Sequence, residues 1–157
     1  GFADFIAVFE PASSVPYLAD VARLEQLRTL AYHAAEASPI RQEQIAAELN
    51  EPQALSELGF EFHPSLQLLD STWPVVAIWA AHQREATLEG IDLNHGQHAL
   101  VLRNDLDVEV FAIDHGASVF IRNLLAGQPL LAGPQCQHRP ICTVLATLKP
   151  ADYAPDQ

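Results

Sequence analysis

Apolar residues recur at helical spacing through the first third of the chain. Residues 2–9 are predicted to be the end of a helix that Pro11 stops, and Pro16 opens a second helix that runs to Ser38. One stripe of this second helix carries Tyr17, Val21, Leu24, Leu27 and Ala31. The segment 39–50 predicts a third helix, with one further helical turn after it.

From Gly59 the period changes from helical to alternating. Residues 60–69 predict either two short strands or one strand that bends at His63–Pro64. Residues 71–83 return to helical spacing, and residues 84–96 are predicted to be a loop. This part of the chain is therefore interpreted as a structural junction between strand and helix.

A β-hairpin is predicted near 98–113, with its turn at Asn104–Asp105. One face of its second strand carries Leu106, Val108, Val110 and Ala112. A helix is predicted between Asp114 and Gly127, and a short helix near 140–148. This order of elements indicates an α+β fold, in which several helices pack on a small antiparallel sheet that includes the hairpin.

The length of 157 residues is sufficient for one domain with a modest core. Residues 16–150 are predicted to form this α+β domain, as the C-terminal domain of a longer protein. Residues 1–10 are predicted to be the tail of a preceding helical domain, because the chain starts inside a helical pattern without a Met. Residues 151–157 are predicted to be a tail.

The charge of the chain indicates which partners it can bind. It has 20 acidic and 8 basic residues, a net charge of −12, and the basic residues are scattered. Such a surface repels phosphate backbones, which makes nucleic-acid binding by this segment unfavourable.

No apolar run approaches the roughly 20 residues that span a bilayer. Without an export signal, we expect a cytoplasmic location in which Cys136 and Cys142 are reduced.

Residues that could carry catalysis or bind a metal do not form a recognised pattern. The only close histidine pair, His95 and His98, is interpreted as two polar loop residues. His138 lies between Cys136 and Cys142, but the spacing matches no zinc signature. There is no nucleophile elbow and no glycine-rich phosphate loop. We therefore expect no metal, no cofactor and no enzymatic activity.

The hairpin offers a binding function instead of a catalytic one. A strand at the rim of a small sheet leaves backbone N–H and C=O groups to which an extended peptide can add. The alternative is that this edge is covered or too short. Periodicity alone does not decide between the two.

Three phrases of the chain are informative in combination: PYLADVARLEQLRTLAYHA, FHPSLQLLDSTWPVVAIWAAHQ and DVEVFAIDHGASVFIRNLLAGQPL. Together they resemble the HvfC/BufC family of two-domain bacterial proteins. The resemblance is to the second domain of the family and covers most of residues 2–131. The chain departs from the family pattern in the helix start DHGAS and in the tail CQHRPIC.

The resemblance implies a partner subunit in the biosynthesis of ribosomal peptide natural products of the methanobactin or bufferin type. Proteins of this family pair with a TIM-barrel multinuclear iron oxygenase and help to hold its Cys-containing precursor peptide, without carrying the iron. The alternative is a DNA-binding transcriptional regulator, because the N-terminal part of the family was long described as a DNA-binding domain. An enzyme in its own right is a third hypothesis.

Two groups of residues are predicted to serve this partner role. The strand edges proposed for peptide binding comprise Leu100, Val101, Leu102, Arg103, Val108, Glu109, Val110 and Phe111. The helix faces proposed for docking the oxygenase contain Asp20, Arg23, Arg28, Trp73 and His82.

Overall fold

The computed structural model describes residues 1–37, 62–84 and 87–128. In chain order the elements are α1 (Phe2–Val8), a 3-10 turn (Glu10–Ala12), α2 (Leu18–Tyr32), β1 (Gln67–Ser71), α3 (Val75–Gln83), β2 (Gln97–Asn104), β3 (Asp107–Ile113) and α4 (His115–Leu125). The predicted α+β class, with helices and a small antiparallel sheet, is confirmed. The predicted helices at 39–50 and 140–148 and the start of the predicted strand region at 60–69 lie outside the described residues.

The three strands form one antiparallel sheet in the order β1-β2-β3. Gln67 of β1 pairs with Val101 of β2, and the β2–β3 hairpin closes at the pair Asn104 and Asp107. The predicted hairpin is therefore confirmed, but its two-residue turn is Asp105–Leu106, one residue later than the predicted Asn104–Asp105, because Asn104 still pairs with Asp107. Asp105 in the turn has a φ of 56°, a left-handed conformation that aspartate tolerates better than most residues do.

Strand β1 begins later than the alternation predicts. The described residues 62–66 are outside the strand, and Pro64 and Ser65 form a turn. Pro64 has no N–H to donate to a neighbouring strand, which explains why pairing starts only beyond it. The backbone N–H of Trp73 donates to Ser71 Oγ at 3.0 Å at the other end of β1, where the chain turns toward α3.

The core lies where α2 and α3 cover one face of the sheet. Its buried cluster consists of Leu24, Ala31, Val75, Ala99 and Val101, with Val21, Leu27, Val108 and Val110 packed against it. The apolar stripe predicted for α2 is therefore the face that packs on the sheet. Each fully buried Leu or Val of this kind contributes about 1.5–3 kcal/mol through removal of apolar surface from water.

A glutamine of the sheet caps helix α3. The N-cap residue Pro74 makes no side-chain cap hydrogen bond, but Gln97 Oε1 accepts the backbone N–H groups of Val76 and Ala77, both at 3.0 Å. Pro74 itself has no N–H, and the N–H of Val75 donates to the carbonyl of Trp73 at 2.7 Å, so each N–H group in the first turn of α3 has a partner. Gln97 also donates its own N–H to the carbonyl of Trp73 at 3.1 Å, so the start of β2 is tied to the start of α3.

The chain divides into two compact units. One comprises Gly1–Glu36 and Pro64–His115, and the other Ala37–His63 and Gly116–Gln157. In the first unit α1 packs on α2, with Ala3 buried. Apart from its first residue, α4 belongs to the second unit. The domain boundaries predicted from the sequence stay predictions.

Helix α4 is amphipathic, as its spacing predicts. Its buried residues are Ala117, Ser118, Ile121 and Leu124. Leu125, which the pattern places on the same face, is half exposed. No helix in the described parts of the chain is long and apolar enough to cross a membrane.

We expect Leu24→Ala to lower the free energy of unfolding by about 2–5 kcal/mol, because it leaves a cavity where α2 meets the sheet. Leu24 is 0% exposed, whereas Leu30 in the same helix is 52% exposed. The matched variant Leu30→Ala should change the free energy of unfolding by no more than about 0.5 kcal/mol. Urea unfolding of both variants measures the difference, and equal losses would contradict this core.

Candidate functional site

The structure corrects the prediction that Leu100–Arg103 form a free strand edge. These residues lie in β2, which pairs with β1 on one side and β3 on the other. Arg103 lies beyond the end of β1, but its backbone N–H donates to Ser65 Oγ at 3.0 Å. Its guanidinium donates to the carbonyl of Tyr32 at 2.6 Å and to Glu36 at 2.9 Å. The prediction is wrong because periodicity does not reveal which strands of a sheet are central.

The other half of the predicted edge, Val108–Phe111, does lie in an edge strand. Strand β3 pairs with β2, and among the described residues no further strand pairs with it. All of its pairing is to the hairpin partner, with His98 opposite Ile113 at one end and Asn104 opposite Asp107 at the other. One edge of the seven-residue strand β3 therefore has no strand partner among the described residues.

The hydrogen bonds of β2 decide which backbone groups of β3 point outward. The N–H groups of Gln97 and Arg103 bond on the β1 side, to Trp73 and Ser65. Backbone groups alternate in direction along a strand, so odd-numbered residues of β2 face β1 and even-numbered ones face β3. The β3 residues opposite the odd ones therefore direct their N–H and C=O groups away from the sheet. They are Val108, Val110 and Ala112.

The side chains along β3 differ in exposure. Val108 and Val110 pack against the core and are half-buried, whereas Ala112 is exposed. Asp107 and Glu109 are also exposed. Strand β3 thus has two valines packed against the core and two acidic side chains exposed to solvent.

Strand β1 is the second edge of the sheet, but it is shorter. It has five residues, and the same alternation leaves outward backbone groups at Leu68 and Asp70. Ser71 at its end donates from Oγ to Asp20 of α2 at 2.7 Å. Of the two edges, β3 therefore offers the longer row of outward groups.

The residues predicted to dock a partner on α2 make contacts within the chain. Asp20 accepts a hydrogen bond from Ser71 and forms an ion pair with Arg23 at 2.6 Å. Arg23 also reaches Asp4 of α1 at 3.3 Å. These two side chains connect α2 to β1 and to α1.

Of the remaining predicted docking residues, Arg28 lies in α2, Trp73 just before α3 and His82 near the end of α3. Arg28 stacks on Trp79, with its guanidinium carbon 4.8 Å from the ring centre, and Trp79 donates to Glu25 at 2.7 Å. Trp73 contacts Tyr17 edge to face at 6.3 Å between ring centres. His82 is exposed, and its Nδ1 contacts the carbonyl of Ile78 in its own helix. The docking role of these residues stays a prediction.

The predicted histidine pair does not converge. His95 Nδ1 lies 2.7 Å from Asp92 Oδ2 in the exposed loop, and His98 Nδ1 lies 2.7 Å from Asp70 Oδ1. The pKa of Asp92 is lowered, chiefly by the backbone N–H of Asn94 and then by the His95 side chain. The interpretation of His98 as a loop residue is wrong, since it is the second residue of β2.

A different histidine meets His98. His115, the first residue of α4, has its Nδ1 3.3 Å from His98 Nε2, and the two ring centres are 5.1 Å apart. Asp70, His98 and His115 thus form a continuous row within the first unit. Sequence reasoning missed this row because its members come from β1, β2 and α4.

Within the described residues, no group of three or more His, Cys, Asp or Glu side chains could hold a metal ion. Cys136, His138 and Cys142 lie outside the described residues.

An apolar surface on α1 also has no counterpart in the sequence analysis. Phe2, Phe5, Val8 and Phe9 are all exposed. Phe5 and Phe9 stack on each other with ring centres 5.1 Å apart. The helix therefore shows aromatic side chains on its outer side while Ala3 packs inward.

Comparison of the chain with protein-family models, curated proteins and solved structures finds no match.

We expect Asp20→Ala to lower the free energy of unfolding by about 1–3 kcal/mol, because it removes the partner of Ser71 and Arg23 at a mostly buried position. The Asp20 side chain is only 17% exposed, whereas that of Glu36, which pairs with Arg103, is 85% exposed. Glu36→Ala should therefore cost less than about 1 kcal/mol. Urea unfolding measures the free energy of unfolding of both variants. If Asp20→Ala lowers it no more than Glu36→Ala does, the contacts of Asp20 contribute no more than an exposed ion pair.

Proposed function

We propose that this protein is a non-catalytic companion subunit that binds an extended peptide along β3 and delivers it to a multinuclear iron oxygenase. The observation that carries the proposal is the outward row of backbone groups at Val108, Val110 and Ala112. A peptide strand that pairs with this row gains main-chain hydrogen bonds, which supply affinity without requiring a deep pocket.

The side chains of β3 limit how such a peptide would lie. Val108 and Val110 are held by the core, so the strand is already ordered before a peptide arrives. Preorganisation of this kind reduces the entropy that binding costs. The added strand would extend a sheet whose register is already fixed by the hairpin.

Charge favours a particular class of peptide. The chain has a net charge of −12, and the exposed Asp107 and Glu109 lie on β3 itself. Complementary charge increases the rate of association and selects among partners. A segment with Lys or Arg residues beside its strand-forming part is therefore the preferred ligand.

The identity of the partner rests on the resemblance to the HvfC/BufC family. In that family the ligand is the Cys-containing precursor of a ribosomal peptide natural product, and the second partner is a TIM-barrel iron oxygenase. The edge supports the peptide-binding part of this proposal. The faces of α2 and α3 around Asp20–Arg28 and Trp73–His82 are proposed for the oxygenase.

The experiment is coexpression of the chain with an iron oxygenase and a short Cys-bearing peptide encoded beside its gene. We expect all three to copurify, with the peptide detected by mass spectrometry. Ala112→Pro should weaken peptide binding about tenfold or more, because proline removes an outward N–H and adds a ring at the contact. The ladder to β2 stays intact, since Ala112 directs its N–H away from that strand.

Ala112→Thr is the matched control, because threonine keeps the N–H and suits a strand. It should bind the peptide as the unaltered chain does. Equal binding by Ala112→Pro would exclude β3 as the peptide site, whereas absence of any copurification would reject the companion function. Salt-dependent binding to duplex DNA would instead support the alternative of a transcriptional regulator.

A further inference from the structure

We propose that His98 and His115 together bind a divalent first-row transition-metal ion, with Zn²⁺ as the reference ion. The two imidazoles face each other through His98 Nε2 and His115 Nδ1, which are 3.3 Å apart. Imidazole nitrogen is a preferred ligand of Zn²⁺, Cu²⁺ and Ni²⁺, whereas Mg²⁺ and Ca²⁺ prefer oxygen. The proposal is independent of peptide binding to β3.

The separation of the two nitrogens matches the requirement of a shared ion. Two imidazoles bound to one tetrahedral zinc at Zn–N distances of about 2.0–2.1 Å hold their donor nitrogens about 3.3 Å apart. The same arrangement places the ring centres about 5 Å apart. The observed distances are 3.3 Å and 5.1 Å, so little movement of either ring is needed.

Asp70 prepares His98 for this role. Its carboxylate lies 2.7 Å from His98 Nδ1, and a carboxylate accepts, so Nδ1 donates its proton there. The lone pair of neutral His98 is then on Nε2, which faces His115. A carboxylate that fixes the tautomer and orientation of a histidine in this way is a recurrent feature of metal sites.

The same two nitrogens can instead share a proton, with His115 Nδ1 donating to His98 Nε2. An ion would replace that proton, which makes binding dependent on pH. His115 is exposed, so water can occupy the other positions of the ion. With two protein ligands, the site is of the exchangeable type and not a closed structural zinc site.

The test is titration of the full chain with Zn²⁺ by calorimetry, in a Cys136→Ser, Cys142→Ser background that excludes binding by the thiols. We expect one equivalent of Zn²⁺ to bind and no saturable binding of Mg²⁺. Asp70→Asn should weaken Zn²⁺ binding about 10- to 100-fold. His98→Ala and His115→Ala should each weaken it further, because each removes a ligand. Circular dichroism checks that the variants are folded.

His95→Ala is the matched control. His95 also has an aspartate 2.7 Å from its Nδ1, but the described residues place no second imidazole beside it, so Zn²⁺ binding should not change. Long-range ¹H–¹⁵N spectra should show Zn²⁺-dependent shifts at His98 Nε2 and His115 Nδ1. Absence of saturable binding, or binding that survives both His98→Ala and His115→Ala, would identify an adventitious ion only and overturn the proposal.

Discussion

The pairing of β2 with one strand on each side is the constraint on which the rest of the described structure depends. In an antiparallel sheet the register decides which face each side chain occupies and which neighbour each backbone group meets. The register here sends Ala99 and Val101 into the core and leaves His98 beside Asp70 on the opposite face. A slip of one residue would exchange the two faces, and both the core and the histidine contact would be lost.

Polar side chains hold this register in place. Gln97 caps α3 from the start of β2, and Ser65 accepts the N–H of Arg103 near its end. Ser71 and Asp20 join β1 to α2. Each bond satisfies a group that would otherwise lose its hydrogen bond to water, so these contacts add specificity to a core that apolar burial alone would position less precisely.

The two proposed sites meet at one end of β3. Ile113, the last residue of the strand, pairs with His98, and His115 follows two residues later. The outward backbone groups of Ala112 thus lie three positions along the chain from His115, one of the two proposed metal ligands. The sites differ in physical basis, since the first uses backbone pairing and the second uses the convergence of side chains from three elements.

The sequence by itself determined the types of the main elements in the described ranges, although not all of their bounds. The stripe of α2, the β2–β3 hairpin and the amphipathic pattern of α4 follow from local periodicity and turn chemistry. It could not determine strand order, and the prediction placed a free edge on Leu100–Arg103. Periodicity describes a strand's faces but not its neighbours. Tertiary structure alone decided that β2 is central, that Gln97 caps a helix 20 residues away, and that His115 faces His98. These contacts join residues far apart in the chain, and only the folded backbone brings such residues within hydrogen-bonding distance.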